Sequence, residues 1–153
     1  MVCMSVDVLV ETTINRSPAE VAAYAGDPGN APAWYANIKS VDWQTEPPVE
    51  VGSRMDFVAQ FLGRRLAYTY EVAEWVPGER LVMRTADGPF PMETTYTWEP
   101  AREGGTRMTL RNRGVPSGFS RVAGPVMELA MRRATTKDLA RLKRLLESGE
   151  TSG

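Results

Sequence analysis

The chain has 153 residues, a length that one hydrophobic core can serve. Its formal net charge of -1 sets up no broad field for nucleic acid or anionic lipid, so polyanionic partners are set aside on composition. A single cysteine, Cys3, and no histidine leave no internal disulfide and none of the usual Cys/His zinc arrangements; no metal and no cofactor is expected.

From Val2 to Ile14 the chain alternates, with Val6, Val8 and Val10 on one face and Asp7, Leu9 and Glu11 on the other, which is the period of a strand. That alternation replaces the basic start and continuous apolar run of an export signal, and no segment reaches the roughly 20 apolar residues of a membrane span. The expected location is the cytoplasm, with Cys3 buried or incidental. The period then changes. Ser17 is an N-cap, Pro18 takes the first helical position and Glu20 completes a capping box that leads into Val21, Ala22, Tyr24 and Ala25. Asp27-Pro28 stops this short helix, because the residue before a proline is pushed out of the helical region. A second helical turn is expected through Ala31 to Ala36.

After Ile38 come six short alternating runs: IKSVDWQTE, RMDFVAQFL, RLAYTYEVAEWV, RLVMRT, METTYTWE and TRMTLRNR. They are separated by Pro47-Pro48, Gly63, Pro77-Gly78, Asp87-Gly88-Pro89 and PAREGG, which is the spacing of an antiparallel meander. From about Ser120 to Leu146 the period returns to that of a helix. Met127, Met131, Thr135, Leu142 and Leu145 share one side, and Val122, Val126 and Leu129 add a second apolar side in the first half only. Gly124-Pro125 near its start is placed to bend or delay the first turn. One domain over residues 1–148 is expected, followed by a polar tail, 149–153.

This order is α+β: one curved seven-stranded antiparallel sheet, β-α-α-β6-α, whose apolar face must be buried by the only long amphipathic helix available. The chain resembles the START-like helix-grip superfamily, also called SRPBCC, and within it the polyketide cyclase/dehydratase-like branch. The resemblance is carried by SPAEVAAYAGDPGNAPAWYANIKSV, VGSRMDFV, YEVAEWVPGERLVMR, GGTRMTL and the closing LKRLLE. It implies a sheet wrapped around the C-terminal helix with an elongated cavity between them for apolar or aromatic ligands. Members include lipid carriers, hormone receptors, aromatases and cyclases of polyketides, and oxygenase domains. The oxygenase branch is excluded, since its iron needs two histidines.

Alternation assigns the faces of the strands. The inward set is Met55, Phe57, Ala59 and Phe61; Leu66, Tyr68, Tyr70 and Val72; Leu81 and Met83; Met92, Thr94, Tyr96 and Trp98; Met108, Leu110 and Asn112. Such Met and Phe residues make an ordinary core, but inward tyrosine hydroxyls need partners and are easier to satisfy around a partly wet pocket. The expected cavity residues are Trp34, Tyr35, Phe57, Phe61, Tyr68, Tyr70, Met83, Met92, Thr94, Tyr96, Met108, Val122 and Val126. Trp34 and Tyr35 are read as closing one end against Val122 and Val126, with Trp34 as a core plug being the alternative.

Without histidine the usual nucleophilic triads are unavailable. Tyr68, Tyr70 and Tyr96 are the candidates for acid/base work, while Asp42 and Glu93 fall on outward positions. Two functions follow. The first is a carrier or sensor of a hydrophobic small molecule, acting as a monomer or weak homodimer. The second is a polyketide cyclase or dehydratase that uses the same pocket, by holding a reactive chain in a productive shape. A protein-interaction module would need an outward patch, and the sequence shows no strong one.

Overall fold

A computed structural model describes residues 6–115 and 124–149. The expectations for Cys3, Val122, the helix start near Ser120 and most of the polar tail lie outside those residues. Strand β1 (Val6–Ile14) is followed by helix α1 (Pro18–Ala25), a 3-10 turn (Pro28–Asn30) and helix α2 (Ala31–Trp34). Then come β2 (Ile38–Trp43), β3 (Arg54–Phe61), β4 (Arg64–Val76), β5 (Arg80–Asp87), β6 (Met92–Pro100), β7 (Thr106–Gly114) and the long helix α3 (Gly124–Ser148). The strands form a seven-stranded antiparallel sheet in the order β1-β7-β6-β5-β4-β3-β2, so β1 crosses over to join the far side of the meander. This is the helix-grip fold. No helix among the described residues is long and apolar enough to cross a membrane.

Local chemistry accounts for the connections. Ser17 Oγ accepts the Glu20 N–H at 3.2 Å and donates to the Glu20 carboxylate at 3.1 Å, which starts α1 where the capping residues stand. The helix ends at Gly26, whose N–H closes on Ala22 O at 2.8 Å. A Cβ at Gly26 would lie 2.5 Å from that same oxygen and against the ring of Trp75, so only glycine permits the approach. Asp27 Oδ1 then accepts the Gly29 N–H at 2.9 Å and turns the chain into α2. Leu62 and Gly63, at φ of 50° and 77°, make the two-residue turn between β3 and β4, a geometry in which both central residues are left-handed.

Strict alternation fails at one place. The β4–β5 register slips between Val72 and Glu74, and the extra residue reverses the parity of the end of β4. Trp75, which unbroken alternation would direct outward, therefore packs on the core, edge-on to Trp98 at 6.4 Å.

Helix α3 does two jobs. Its buried stripe, Met127, Thr135, Asp138, Leu139, Leu142 and Leu146, faces the concave side of the sheet. Its flank grips the free edge of β1. Glu128 accepts the Asp7 N–H at 3.1 Å, Arg132 donates to Leu9 O at 2.9 Å, Lys143 donates to Thr13 O at 2.5 Å, and Glu147 accepts the Asn15 N–H at 2.8 Å. The unpaired backbone groups of an edge strand invite association with another chain, and here helix side chains cover them. Of the second apolar side expected for this helix, Val126 and Leu129 are 57% and 50% exposed among the described residues.

The same arrangement corrects the reading of Trp34. Helix α2 docks on the C-terminal half of α3, with Arg141 Nε donating to Ala33 O at 2.8 Å and the Ala36 N–H to Asp138 at 3.0 Å. At 1.5 Å per residue, Val126 is about 18 Å further along the helix from Asp138, out of reach of α2. Trp34 does not line the cavity described below. It is fully buried, with Tyr35 and Tyr96 rings at 4.1 Å and 5.8 Å. Trp34→Ala is accordingly expected to cost about 3–5 kcal/mol of stability in urea unfolding, the range for deleting a buried aromatic; a loss under about 1 kcal/mol would show that Trp34 is not a plug.

Candidate functional site

Between the concave face of the sheet and α3 lies a cavity of about 160 Å³. It follows α3 from Met127 through Met131 and Thr135 to Asp138, a run of about 16 Å at 1.5 Å per residue. The sheet supplies Phe57 and Phe61 from β3, Tyr68 and Tyr70 from β4, Met83 from β5, and Met92, Thr94 and Tyr96 from β6, with Tyr35 entering from the end of α2. These are inward positions of four adjacent strands, brought to one surface by antiparallel register. Phe57 and Tyr68 face each other across β3 and β4 and stack at 5.4 Å with their planes 2° apart; Tyr70 meets both rings edge-on.

Met108 and Val126 are not part of the wall. Met108 is on the inward face but lies fully buried in the close-packed part of the core, and Val126 points to solvent. Three contributors that a reading by alternation misses matter most to the shape and polarity of the site. Phe90 belongs to the turn between β5 and β6, yet folds back to be buried at the cavity edge with Val6, Leu66 and Met127. Asn37, just before β2, also reaches the cavity. The third is Asp138, 4% exposed and on the cavity wall. Its signal was present in the sequence: it stands three residues after Thr135 and four before Leu142, on the apolar stripe of the helix.

Apolar surface dominates, and the polar groups are few and arranged. The hydroxyls of Tyr70 and Thr94 are 2.8 Å apart, and Thr94 donates to Asn112 Oδ1 at 2.8 Å. Thr94 has one proton and gives it to Asn112, so Tyr70 donates to Thr94. The Tyr35 and Tyr96 hydroxyls are 2.6 Å apart. Burial raises the pKa of Tyr70 to about 12, and raises those of Tyr35, Tyr68 and Tyr96 as well. The phenols therefore stay protonated near neutrality, suited to hydrogen bonding more than to proton transfer. At the rim, Glu93 is held below the usual carboxylate range by Arg84 and Arg113. Among the described residues no group of three or more His, Cys, Asp and Glu is placed to hold a metal.

Asp138 is the outlier. Its Oδ1 accepts the Ala36 N–H, and its pKa rises from 3.8 to about 6, chiefly because burial penalises the charged form. Native Asp138 thus binds its proton more tightly than the unfolded chain does, so its contribution to stability is greatest below pH 3.8 and falls away as pH rises through about 6. The corresponding penalty above pH 6 is on the order of 3 kcal/mol at 1.36 kcal/mol per tenfold. Asp138→Asn keeps an acceptor for Ala36 and removes the charge. It is expected to raise the melting temperature at pH 8 and to leave it nearly unchanged at pH 3.5; an equal effect at both pH values would contradict the raised pKa.

Comparisons with known proteins agree with this architecture. A family model described as polyketide cyclase / dehydrase and lipid transport matches residues 5–147. No curated protein matches in a sequence search. Among solved structures, a protein of Thermus thermophilus superposes with a TM-score of 0.79 at 20% identity, covering 94% of this chain and 98% of its own. A START superfamily protein of Mycobacterium smegmatis gives 0.78 at 14%, covering 93% and 97%. The Zhui aromatase/cyclase of Streptomyces sp. R1128 gives 0.76 at 13%, covering 94% of each chain. At these identities the likeness is one of fold.

Proposed function

Because the chain belongs to the polyketide cyclase/dehydrase and lipid transport family, we propose that it binds a hydrophobic or aromatic small molecule between the sheet and α3, as a cytoplasmic carrier or sensor. The observation that carries this reading is an elongated apolar cavity with its polar groups fixed by hydrogen bonds to one another. A mostly apolar wall with a few placed polar groups is the general form of a small-molecule site. A dry core would have no use for four tyrosine hydroxyls. The proposed binding residues are Tyr35, Phe57, Phe61, Tyr68, Tyr70, Met83, Met92, Thr94 and Tyr96.

Volume bounds the ligand. About 160 Å³ is close to the engineered cavity of 150 Å³ that holds benzene, and below the roughly 300–1,000 Å³ of sites for drug-sized molecules. One aromatic ring enters without movement, and a longer ligand requires the methionines of the wall to repack. Met83, Met92, Met127 and Met131 suit that, since an unbranched thioether chain adapts its shape at low cost.

The second reading is a polyketide cyclase or dehydratase. It is favoured by Asp138, a carboxylate poised to change protonation near pH 6 inside a site rich in hydroxyls. The raised pKa values of Tyr68, Tyr70 and Tyr96 argue against these phenols as the proton-transferring groups, and leave binding as the better-supported role.

Filling the cavity separates occupancy from folding. Ala59, buried on β3 at the cavity wall, is the position at which a larger side chain grows into the space. Ala59→Phe is expected to hold or raise the melting temperature while weakening binding of a single-ring probe such as toluene at least tenfold, read by ligand-observed NMR. Undiminished binding in a folded Ala59→Phe protein would place the ligand elsewhere.

A further inference from the structure

The polar end of the cavity carries a complementary vacancy in its hydrogen bonding. Tyr35 and Tyr96 have two hydroxyl protons between them, and their mutual contact at 2.6 Å uses one. The other has no protein acceptor among the described residues. Asp138 shows the opposite deficit: the Ala36 N–H at 3.0 Å is its one hydrogen-bond donor among the described residues, so its second oxygen is unpartnered. Both features lie at one place. Ala36 follows Tyr35 in the chain, all three side chains line the cavity, and the charge of Asp138 acts on both Tyr35 and Tyr96. This end of the site therefore offers one free donor beside one free acceptor, in surroundings where an unmade hydrogen bond is expensive.

We propose that the ligand bound here carries a neutral hydroxyl group, phenolic or alicyclic, which donates to Asp138 and accepts from the Tyr35–Tyr96 pair. This rests on the reading of the cavity as a small-molecule site. A hydroxyl carries both the donor and the acceptor on a single heavy atom, which suits a cavity of about 160 Å³ already filled by one ring. Other head groups fail on chemistry. A ketone or ether accepts from the tyrosine pair and leaves Asp138 unpartnered. An ammonium donates to Asp138 and leaves the phenolic proton unpartnered. A carboxylate brings a second negative charge against Asp138, so fatty acids and other anionic lipids are turned away while Asp138 is ionised.

The cations nearest this end of the site do not pair with that charge. Arg141, on the next turn of α3, is exposed and donates to Ala33 O. Lys39, from β2, is exposed and donates to Ala36 O at 3.3 Å. Neither forms an ion pair with Asp138. Tyr35 and Tyr96 are neutral. Rejection of carboxylates should thus weaken as pH falls through about 6 and Asp138 takes up its proton.

The test is a ligand-observed NMR titration of the full chain with p-cresol, 4-methylanisole and p-toluate at pH 8 and pH 5. At pH 8 p-cresol should bind at least tenfold more tightly than 4-methylanisole, the expectation for a hydrogen bond to a charged group, with p-toluate weaker again. At pH 5 p-toluate should gain at least tenfold relative to p-cresol. In Asp138→Asn the preference for p-cresol at pH 8 should shrink towards that of the neutral wild-type site; if that variant does not fold, the wild-type comparison decides alone. Three probes binding within threefold of one another at pH 8 would overturn the hydroxyl proposal and leave the cavity as a ligand site. No binding by any probe, with toluene also failing, would overturn both.

Discussion

A seven-stranded sheet can bury one face only by meeting something large enough to cover it, and this chain has one long helix. At about 4.8 Å between strands the sheet is roughly 29 Å across, while a helix with its side chains is about 10–12 Å wide. Curling the sheet reduces the mismatch without removing it. The space left over is the cavity. Its position follows from where the helix is fastened: α3 lies along the edge of β1, held by Glu128, Arg132, Lys143 and Glu147, and is packed on the sheet by Leu139, Leu142 and Leu146. The uncovered region is the part of the concave face built by β3 to β6, which is where the aromatic residues of the wall stand.

Each end of the cavity is finished by a different device. Around Val6, Leu66, Phe90 and Met127 a small apolar cluster forms, using a phenylalanine supplied by a turn. At the other end α2, only four residues long, is wedged between sheet and helix by Trp34. The wedge sets Tyr35 against Tyr96 and brings the Ala36 N–H onto Asp138. Stability and chemistry are coupled here: the residue that anchors α2 in the core is the neighbour of the residues that form the polar end. Among the described residues the indole N–H of Trp34 has no partner, nor has that of Trp98, so the plug is held by packing area rather than by hydrogen bonds.

At Asp138 the molecule departs from the arrangement that would be most stable. An apolar residue at that position of the helix would remove the cost of burying a carboxylate and would still cover the sheet. Keeping a carboxylate there sacrifices stability above pH 6, and such sacrifices are characteristic of residues that face a ligand. The convex face contrasts with this. Its ion pairs, Arg54–Glu71, Arg107–Glu99 and Arg111–Asp7, join partners that are all close to half exposed, and they contribute solubility more than binding.

Much of this was legible in the sequence. Period two in seven runs, period 3.6 in two, the Ser17 capping box and the turn residues between strands determined the elements and their order, because each depends on neighbours a few residues away. Strand alternation alone also put Phe57, Phe61, Tyr68, Tyr70, Met83, Met92, Thr94 and Tyr96 on one face, and all eight line the cavity. What alternation cannot decide is depth along that face: Met108 and Met92 look alike in sequence, yet one is fully buried in the close-packed core and the other lines the cavity. The bulge that turns Trp75 inward, the return of Phe90 from its turn, and the docking of α2 near Asp138 rather than Val126 depend on contacts between distant segments. Only tertiary structure decided them, since where a helix crosses a sheet is set by the sum of packing over many residues and has no signature in any one stretch of chain.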